Sequence, residues 1–365
     1  MYTVKDITEH IETLAPLDYA EGFDNVGLLV GDASSKVSGV LVTLDCLESV
    51  VDEAIEKNCN LIVSFHPIVF SGLKKLNGST YVERVVIKAI KNNIAIYSMH
   101  TALDNSFDGV NAKICEVLGL QDRKILIPQK QNIKKLLTYI PIENAERLRK
   151  ALFSAGAGTI GNYDNCSFNT EGFGTYRAGN EATPTLGKKG EQHIEKEICV
   201  GVVFEKHLEK GILSALFENH PYEEVAYELT TLENEHQHRG MGMLGSFDKP
   251  LSETQFLQVL KNTFKSDCIR HSKLTGKKIK TVAVLGGSGS FAIANAKRHK
   301  ADAYVTSDLK YHEFYQAENQ LLLTDIGHYE SEQFTKNLLV DYLTKKFTNF
   351  AIVLSDKITN PIYYI

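Results

Sequence analysis

The chain has 365 residues, of which 43% are hydrophobic and 23% charged, with a net charge of −5 and a pI near 6.2. That length exceeds one ordinary core and predicts two or three domains, while the mild acidity leaves no global basic field to attract nucleic acid. No run of about 18 apolar residues occurs, so no helical membrane span is expected.

The start, Met1-Tyr2-Thr3-Val4-Lys5-Asp6, lacks the basic and apolar regions of a signal peptide. The six cysteines are scattered without a C-x-x-C pair, which predicts reduced thiols in the cytoplasm. Over the first ~120 residues, helix and strand patterns alternate. A helix is expected over 4–14, a strand over 37–44, a helix over 47–57 and a strand through Leu61-Ile62-Val63. A helix over 82–91 and a strand over 94–98 follow. This rhythm predicts mostly parallel pairing with helices covering the sheet.

From about Lys134 the texture changes. Strands are expected over 136–141, 198–204 and 224–232, with helices over 145–155 and 208–218. The Gly, Asn, Ser and Thr-rich stretch 156–191 reads as a long connection. Two β-α-β units of this size suggest a ferredoxin-like module. Beyond Gly240-Met241-Gly242 the first rhythm returns, with strands over 281–285, 303–306 and 321–324 and a long helix over 331–346. The expected organisation is a split α/β domain with a mostly parallel sheet (1–130 and 239–365), interrupted by an inserted module (131–238).

Chemistry-bearing residues cluster where strands end. Ser64-Phe65-His66-Pro67, His100-Thr101-Ala102-Leu103-Asp104 and Gly327-His328-Tyr329-Glu330-Ser331-Glu332 each follow an apolar run. Ligands collect at the C-terminal edge of an open α/β sheet, and imidazoles with carboxylates suit a divalent metal. His328 and Glu332, spaced i, i+4, share one helical face. His66, Asp104, His328 and Glu332 are therefore the candidate ligands. Bridging carboxylates make a dinuclear centre, with ions ~3.5–4 Å apart, chemically possible. A single histidine at a strand end is more often hydrogen-bonded structure; several such ends in one sheet shift the balance toward metal.

A competing signal is Gly286-Gly287-Ser288-Gly289-Ser290-Phe291-Ala292, which follows a strand and contains G-x-G-x-x-A. Ser307-Asp308 follows at a distance suited to a ribose-binding acid. A tight strand-to-helix turn explains the same glycines. Asp308 and Asp45 are candidates for hydrogen bonds to metal ligands. His220-Pro221-Tyr222-Glu223-Glu224 reads either as ligand-binding or as a turn. Neither a phosphate-binding G-x-x-x-x-G-K-[ST] nor a G-x-S-x-G elbow occurs.

Together with Asp24-Asn25-Val26-Gly27-Leu28 and Thr306-Ser307-Asp308-Leu309-Lys310-Tyr311-His312, these motifs resemble the GTP cyclohydrolase 1 type 2 homolog family. That family is also called NGG-one-interacting-factor-three-like. Order and spacing fit over nearly the whole chain. The resemblance implies a dinuclear metal site held by His66, Asp104, His328 and Glu332, with Asp104 and Glu332 bridging. It also implies a toroidal homohexamer and a PII-like insert, and makes the Gly287 loop a structural or substrate-facing turn. The family usually carries two consecutive histidines before the proline. Here Phe65 takes the first place, so one ion loses a nitrogen ligand; either water, Asp45 or His100 fills the vacancy, or the second ion is weak or missing.

The expected function is that of a metal-dependent hydrolase-like protein acting on a nucleotide or phosphorylated small molecule, with Zn, Fe, Mn or Co as one or two ions per subunit. Lys310, Tyr311 or the Gly286–Gly289 backbone would face an anionic ligand. Glu330 is the candidate general base, though an acid in a first helical turn is equally explained by the helix dipole. The rival from another class is a non-catalytic metal-binding regulator or scaffold.

Overall fold

A computed structural model describes residues 2–365. It divides into two compact units, one made of residues up to 128 together with 238–365, the other of 129–237. The first unit contains two sheets, where the sequence predicts one. The first sheet has the order Gly27–Val30, Ala95–Ser98, Leu61–Ser64, Val40–Thr43, Ile352–Leu354. Its last four strands are parallel, and Gly27–Val30 pairs antiparallel at the edge.

Val40-Leu41-Val42 and Leu61-Ile62-Val63 are apolar without alternation because both faces of this sheet are covered. Leu61, Val63, Val40 and Val42 point into an inner core that also takes up helices Val4–Leu14, Val110–Leu118, Glu253–Phe264 and Thr335–Lys346. Ile62, Leu41 and Ile96 point outward against helices Glu48–Glu56 and Tyr81–Lys91. Each fully buried aliphatic side chain contributes about 1.5–3 kcal/mol of transfer free energy.

The second sheet has the order Arg270–His271, Leu322–Asp325, Ala303–Ser307, Lys278–Ser288, Gly240–Ser252, Gln121–Pro128. Only Lys278–Ser288, Ala303–Ser307 and Leu322–Asp325 run parallel; the rest pair antiparallel. Val282, Val284, Val305 and Leu322 face the same inner core as the first sheet. The antiparallel strands escape sequence reading because Gln121-Asp122-Arg123-Lys124 is charged and Gly240–Ser252 is interrupted by glycine. The long helix expected over 331–346 is two helices, His328–Glu332 and Thr335–Lys346.

In the second unit the order is strand, helix, strand, strand, helix, strand. All pairs in its sheet are antiparallel, in the order Phe168–Arg177, Gln192–Glu205, Ile133–Pro141, Tyr227–Leu232. Helices Ala145–Ser154 and Glu209–Asn219 cover one face through Leu148, Leu152, Ile212 and Leu216. Phe168–Arg177 lies inside the stretch read as a connection. Most of its residues are exposed and two are glycine, so neither alternation nor β propensity announces it.

Candidate metal centre

In both sheets of the first unit, the polar clusters follow the C-terminal ends of parallel strands. Asp45 follows Val40–Thr43, His66 follows Leu61–Ser64, and His100 opens the short helix His100–Asp104 after Ala95–Ser98. From the second sheet come Gly286–Gly289, Asp308, and the His328–Glu332 helix.

Three of the expected ligands converge. One donor atom each from His66, His328 and Glu332 lies within 4.8 Å of the others. The Glu332 Oε2 is 3.1 Å from His66 Nε2 and 3.2 Å from His328 Nε2. Neither imidazole is aligned to donate to it, so this buried oxygen has no hydrogen-bond partner. Buried polar atoms are rarely left so, and two imidazole nitrogens and a carboxylate oxygen gathered this closely form a donor set suited to a divalent ion.

The imidazoles are aimed by carboxylates behind them. Asp45 Oδ1 lies 2.7 Å from His66 Nδ1, and Asp308 Oδ2 lies 2.7 Å from His328 Nδ1. Each pairing turns Nε2 inward, the usual second partner of a metal-binding histidine. Asp45 is itself fixed by the Thr359 hydroxyl at 2.6 Å, and Asp308 by that of Ser288. Asp45 thus orients His66; it does not join the converging group.

The charges are strongly coupled. Burial opposes charge on His66, yet Asp45 and Glu332 raise its imidazole to about 10. Burial likewise opposes His328, which Asp308 and Glu332 raise to about 11. The Glu332 carboxyl is pushed up by burial and drawn down to about 2 by the two imidazoles.

Asp104 lies outside the converging group, but close enough to feel its charges. Burial first, then the Glu332 carboxylate, holds its carboxyl well above the usual range. Its Oδ1 is buried and has no hydrogen-bond partner. Phe65 is fully buried, its ring centroid 4.9 Å from that of His66 and 5.6 Å from that of His100.

His100 is held apart from the group by Asp24. Its Nδ1 is 2.9 Å from Asp24 Oδ1, and the Thr101 N–H donates to the other oxygen at 3.0 Å. Burial raises the Asp24 carboxyl, but His100 and Thr101 bring it to about 2. His100 adopts φ +26, a backbone state that costs energy for a residue with a side chain. The Asp24–His100 pair joins residues 76 apart, and Asp24 opens the stretch Asp24-Asn25-Val26-Gly27-Leu28.

Glu330 sits elsewhere. Its Oε1 accepts from the Asn360 amide at 2.9 Å, and its other oxygen lies over Gly327. On a helix it is turned away from the face shared by His328 and Glu332.

The glycine loop has a definite job. Gly287 has φ +71, and a Cβ there would stand 2.5 Å from Glu332 Oε1. The Gly286 N–H donates to Asn111 Oδ1 and the Gly287 N–H to Ser331 Oγ, at 3.1 and 3.0 Å. The first amide of the supposed dinucleotide fingerprint, that of Gly287, is thus already engaged, and this glycine makes room for a carboxylate.

Fold and site define an α/β protein whose two sheets bring strand ends to one His-His-Glu group able to hold a metal ion. The profile of Duf34/NIF3 (NGG1p interacting factor 3) matches residues 2–361, and the chain belongs to that family. It is 36% identical over 371 residues to the GTP cyclohydrolase 1 type 2 homolog of Bacillus subtilis, covering 99% of this chain and 98% of that one. The homolog of Halalkalibacterium halodurans is 34% identical, covering 98% of both. Among solved structures, a Bacillus cereus protein related to NIF3 superposes with a TM-score of 0.86 at 34% identity, over 100% of this chain and 99% of that one. Staphylococcus aureus SA1388 gives 0.80 at 28% identity, with the same coverage. Among the described residues, no helix is long and apolar enough to cross a membrane.

Proposed function

We propose that the chain is a metal-dependent hydrolase-like protein acting on a nucleotide or another phosphorylated small molecule. The observation that carries the metal part is the Glu332 oxygen that faces both imidazoles with no hydrogen bond. His66, His328 and Glu332 would hold a divalent ion, with Asp104 as the fourth ligand. Imidazole with carboxylate suits zinc, iron, manganese or cobalt. Such an ion supplies Lewis acidity toward a water or a substrate oxygen. Asp45 and Asp308 fix the ligand imidazoles, and the Asp24-held His100 is placed to hold or move a proton beside them.

The family resemblance supports a second ion, bridged by Asp104 and Glu332, and a homohexameric toroid. Phe65 offers that second ion no donor, so the reading is of one well-held ion and a weaker second position. The strand and helix order of 129–237 supports a ferredoxin-like, PII-like insert at 131–238. Six free cysteines support a reducing cytoplasm. The engagement of Glu330 by Asn360 favours the rival reading, a metal-binding regulator without turnover, because it ties up the candidate general base away from the ligand face.

Elemental analysis of purified protein, paired with hydrolysis assays over a panel of nucleotides, tests both. Metal lost in His66→Ala, with turnover lost in step, supports the hydrolase. Metal without turnover on any phosphorylated compound supports the regulator. A chain that retains no divalent ion after reloading overturns both.

A further inference from the structure

The 129–237 unit contains a cavity of about 720 Å³ on its sheet, lined by Phe168–Arg177, the connection after it, Gln192–Glu205 and the turn at Pro221–Glu224. That volume is in the range of small-molecule sites. We propose that it binds an organic ammonium ion. This inference is independent of the metal centre.

The sheet is hollowed by two glycines. Gly172 pairs with Glu197 and Gly174 with Glu195 across the two strands. Neither glycine puts a side chain over its neighbour, and a Cβ on Gly174 would stand 2.1 Å from Glu197 Oε2. The Glu197 carboxylate therefore forms the floor, although the residue is only 7% exposed. Its Oε1 accepts from the Tyr222 hydroxyl at 2.8 Å, while Oε2 receives no hydrogen bond among the described residues. That oxygen opens onto the cavity at the hollow left by Gly174, and a cation there would pair with it.

The walls and roof fit the same charge. Tyr176 and Tyr222 stand with ring centroids 6.0 Å apart, and aromatic faces attract organic cations. Glu171, Glu223 and Glu224 also line the space, against Arg177 as its single cationic residue. The connection closes over the cavity: the Thr183 N–H donates to Glu223 Oε1 and the Thr185 hydroxyl to the Pro221 carbonyl, both at 2.7 Å. The Tyr176 hydroxyl donates to the Leu186 carbonyl at 2.8 Å. Because one Glu197 oxygen is taken by Tyr222, the floor offers a single acceptor. That suits a point-like ammonium better than a guanidinium fork, which pairs with both oxygens.

Calorimetry on the full chain with phenethylamine, phenylethanol and phenylpropanoate tests this. These probes share the aryl group and differ in the charge of the head group. Saturable binding of the amine is expected, with the alcohol and the acid at least about tenfold weaker. Glu197→Gln keeps an acceptor for Tyr222 and removes the charge, and is expected to weaken the amine by about tenfold or more. Gly174→Ala fills the hollow and is expected to abolish binding. If that variant melts early, the charge series on the unaltered chain decides alone. The proposal falls if the alcohol or acid matches the amine, if Glu197→Gln binds as tightly, or if no probe saturates at millimolar concentration.

Discussion

Asp45 Oδ1 stands 2.7 Å from His66 Nδ1, on the far side of the ring from Glu332. The sheet thus supplies both the imidazole and the group that fixes its rotation, from neighbouring parallel strands. His328 and Asp308 repeat the arrangement from the other sheet. Asp45→Asn keeps the size of the side chain and loses the charge. Metal affinity is expected to fall about 10–100-fold, read by competition with a chromophoric chelator. An unchanged affinity would mean that Asp45 serves packing alone.

Phe65 gives the sharpest test of ion number. Wild-type protein is expected to saturate at one ion per chain, and Phe65→His to take up a second, since imidazole supplies the missing donor. Metal-to-chain ratios by elemental analysis, with anomalous scattering at both positions, check this. Two equally held ions in the wild type would sink it.

Gly287→Ala places a methyl group against Glu332 in a backbone state that alanine resists. A loss of about 1–3 kcal/mol of stability is expected, together with weakened metal binding. Ala substitution at the exposed Gly190 (φ +80), where nothing lies within 4 Å of the new carbon, is the control: it carries the backbone penalty and leaves the metal in place. Equal metal loss in both variants would contradict the assigned role.

Glu53 predicts an acid-side change in stability. Its buried carboxylate accepts from Lys57 Nζ at 2.7 Å, the Ser355 hydroxyl at 2.6 Å and the Asp356 N–H at 2.8 Å. Burial raises its carboxyl, but these partners outweigh burial and hold it below the usual value. A depressed folded-state value stabilises the fold above the unfolded value, and the gain is lost as pH falls through the folded one. Glu53→Gln is therefore expected to flatten the decline of melting temperature below the ordinary carboxylate range. A decline as steep as wild type would show that Glu53 does not contribute.

What the sequence makes legible is uneven for physical reasons. Leu61-Ile62-Val63 announces itself because burial on both faces demands an unbroken apolar run, and His66 is visible at its end. Asp308 is readable as a hydrogen-bonding neighbour, and the structure puts it on His328. The Asp24–His100 pair leaves no local trace, since a tertiary contact across 76 positions has no period. Phe168–Arg177 is hidden for the opposite reason: its exposed, glycine-bearing residues serve a cavity, and a cavity removes the pattern that marks a strand. The tail that brings Thr359 to Asp45 and Asn360 to Glu330 carries no regular element to read.

The converging group draws His66 from one sheet and His328 and Glu332 from the other. A cation seated there would add a clasp between two layers that already share an apolar core and the hydrogen bonds Asn360–Glu330 and Gly240–Asn105. Loaded protein should then resist heat and proteases as one body, with a midpoint that climbs with free ion concentration. Stripped of its ion, the same chain would lose that added clasp and melt at a lower temperature. Metal supply in the cell would then govern how long each molecule lasts, whether or not it turns over a substrate.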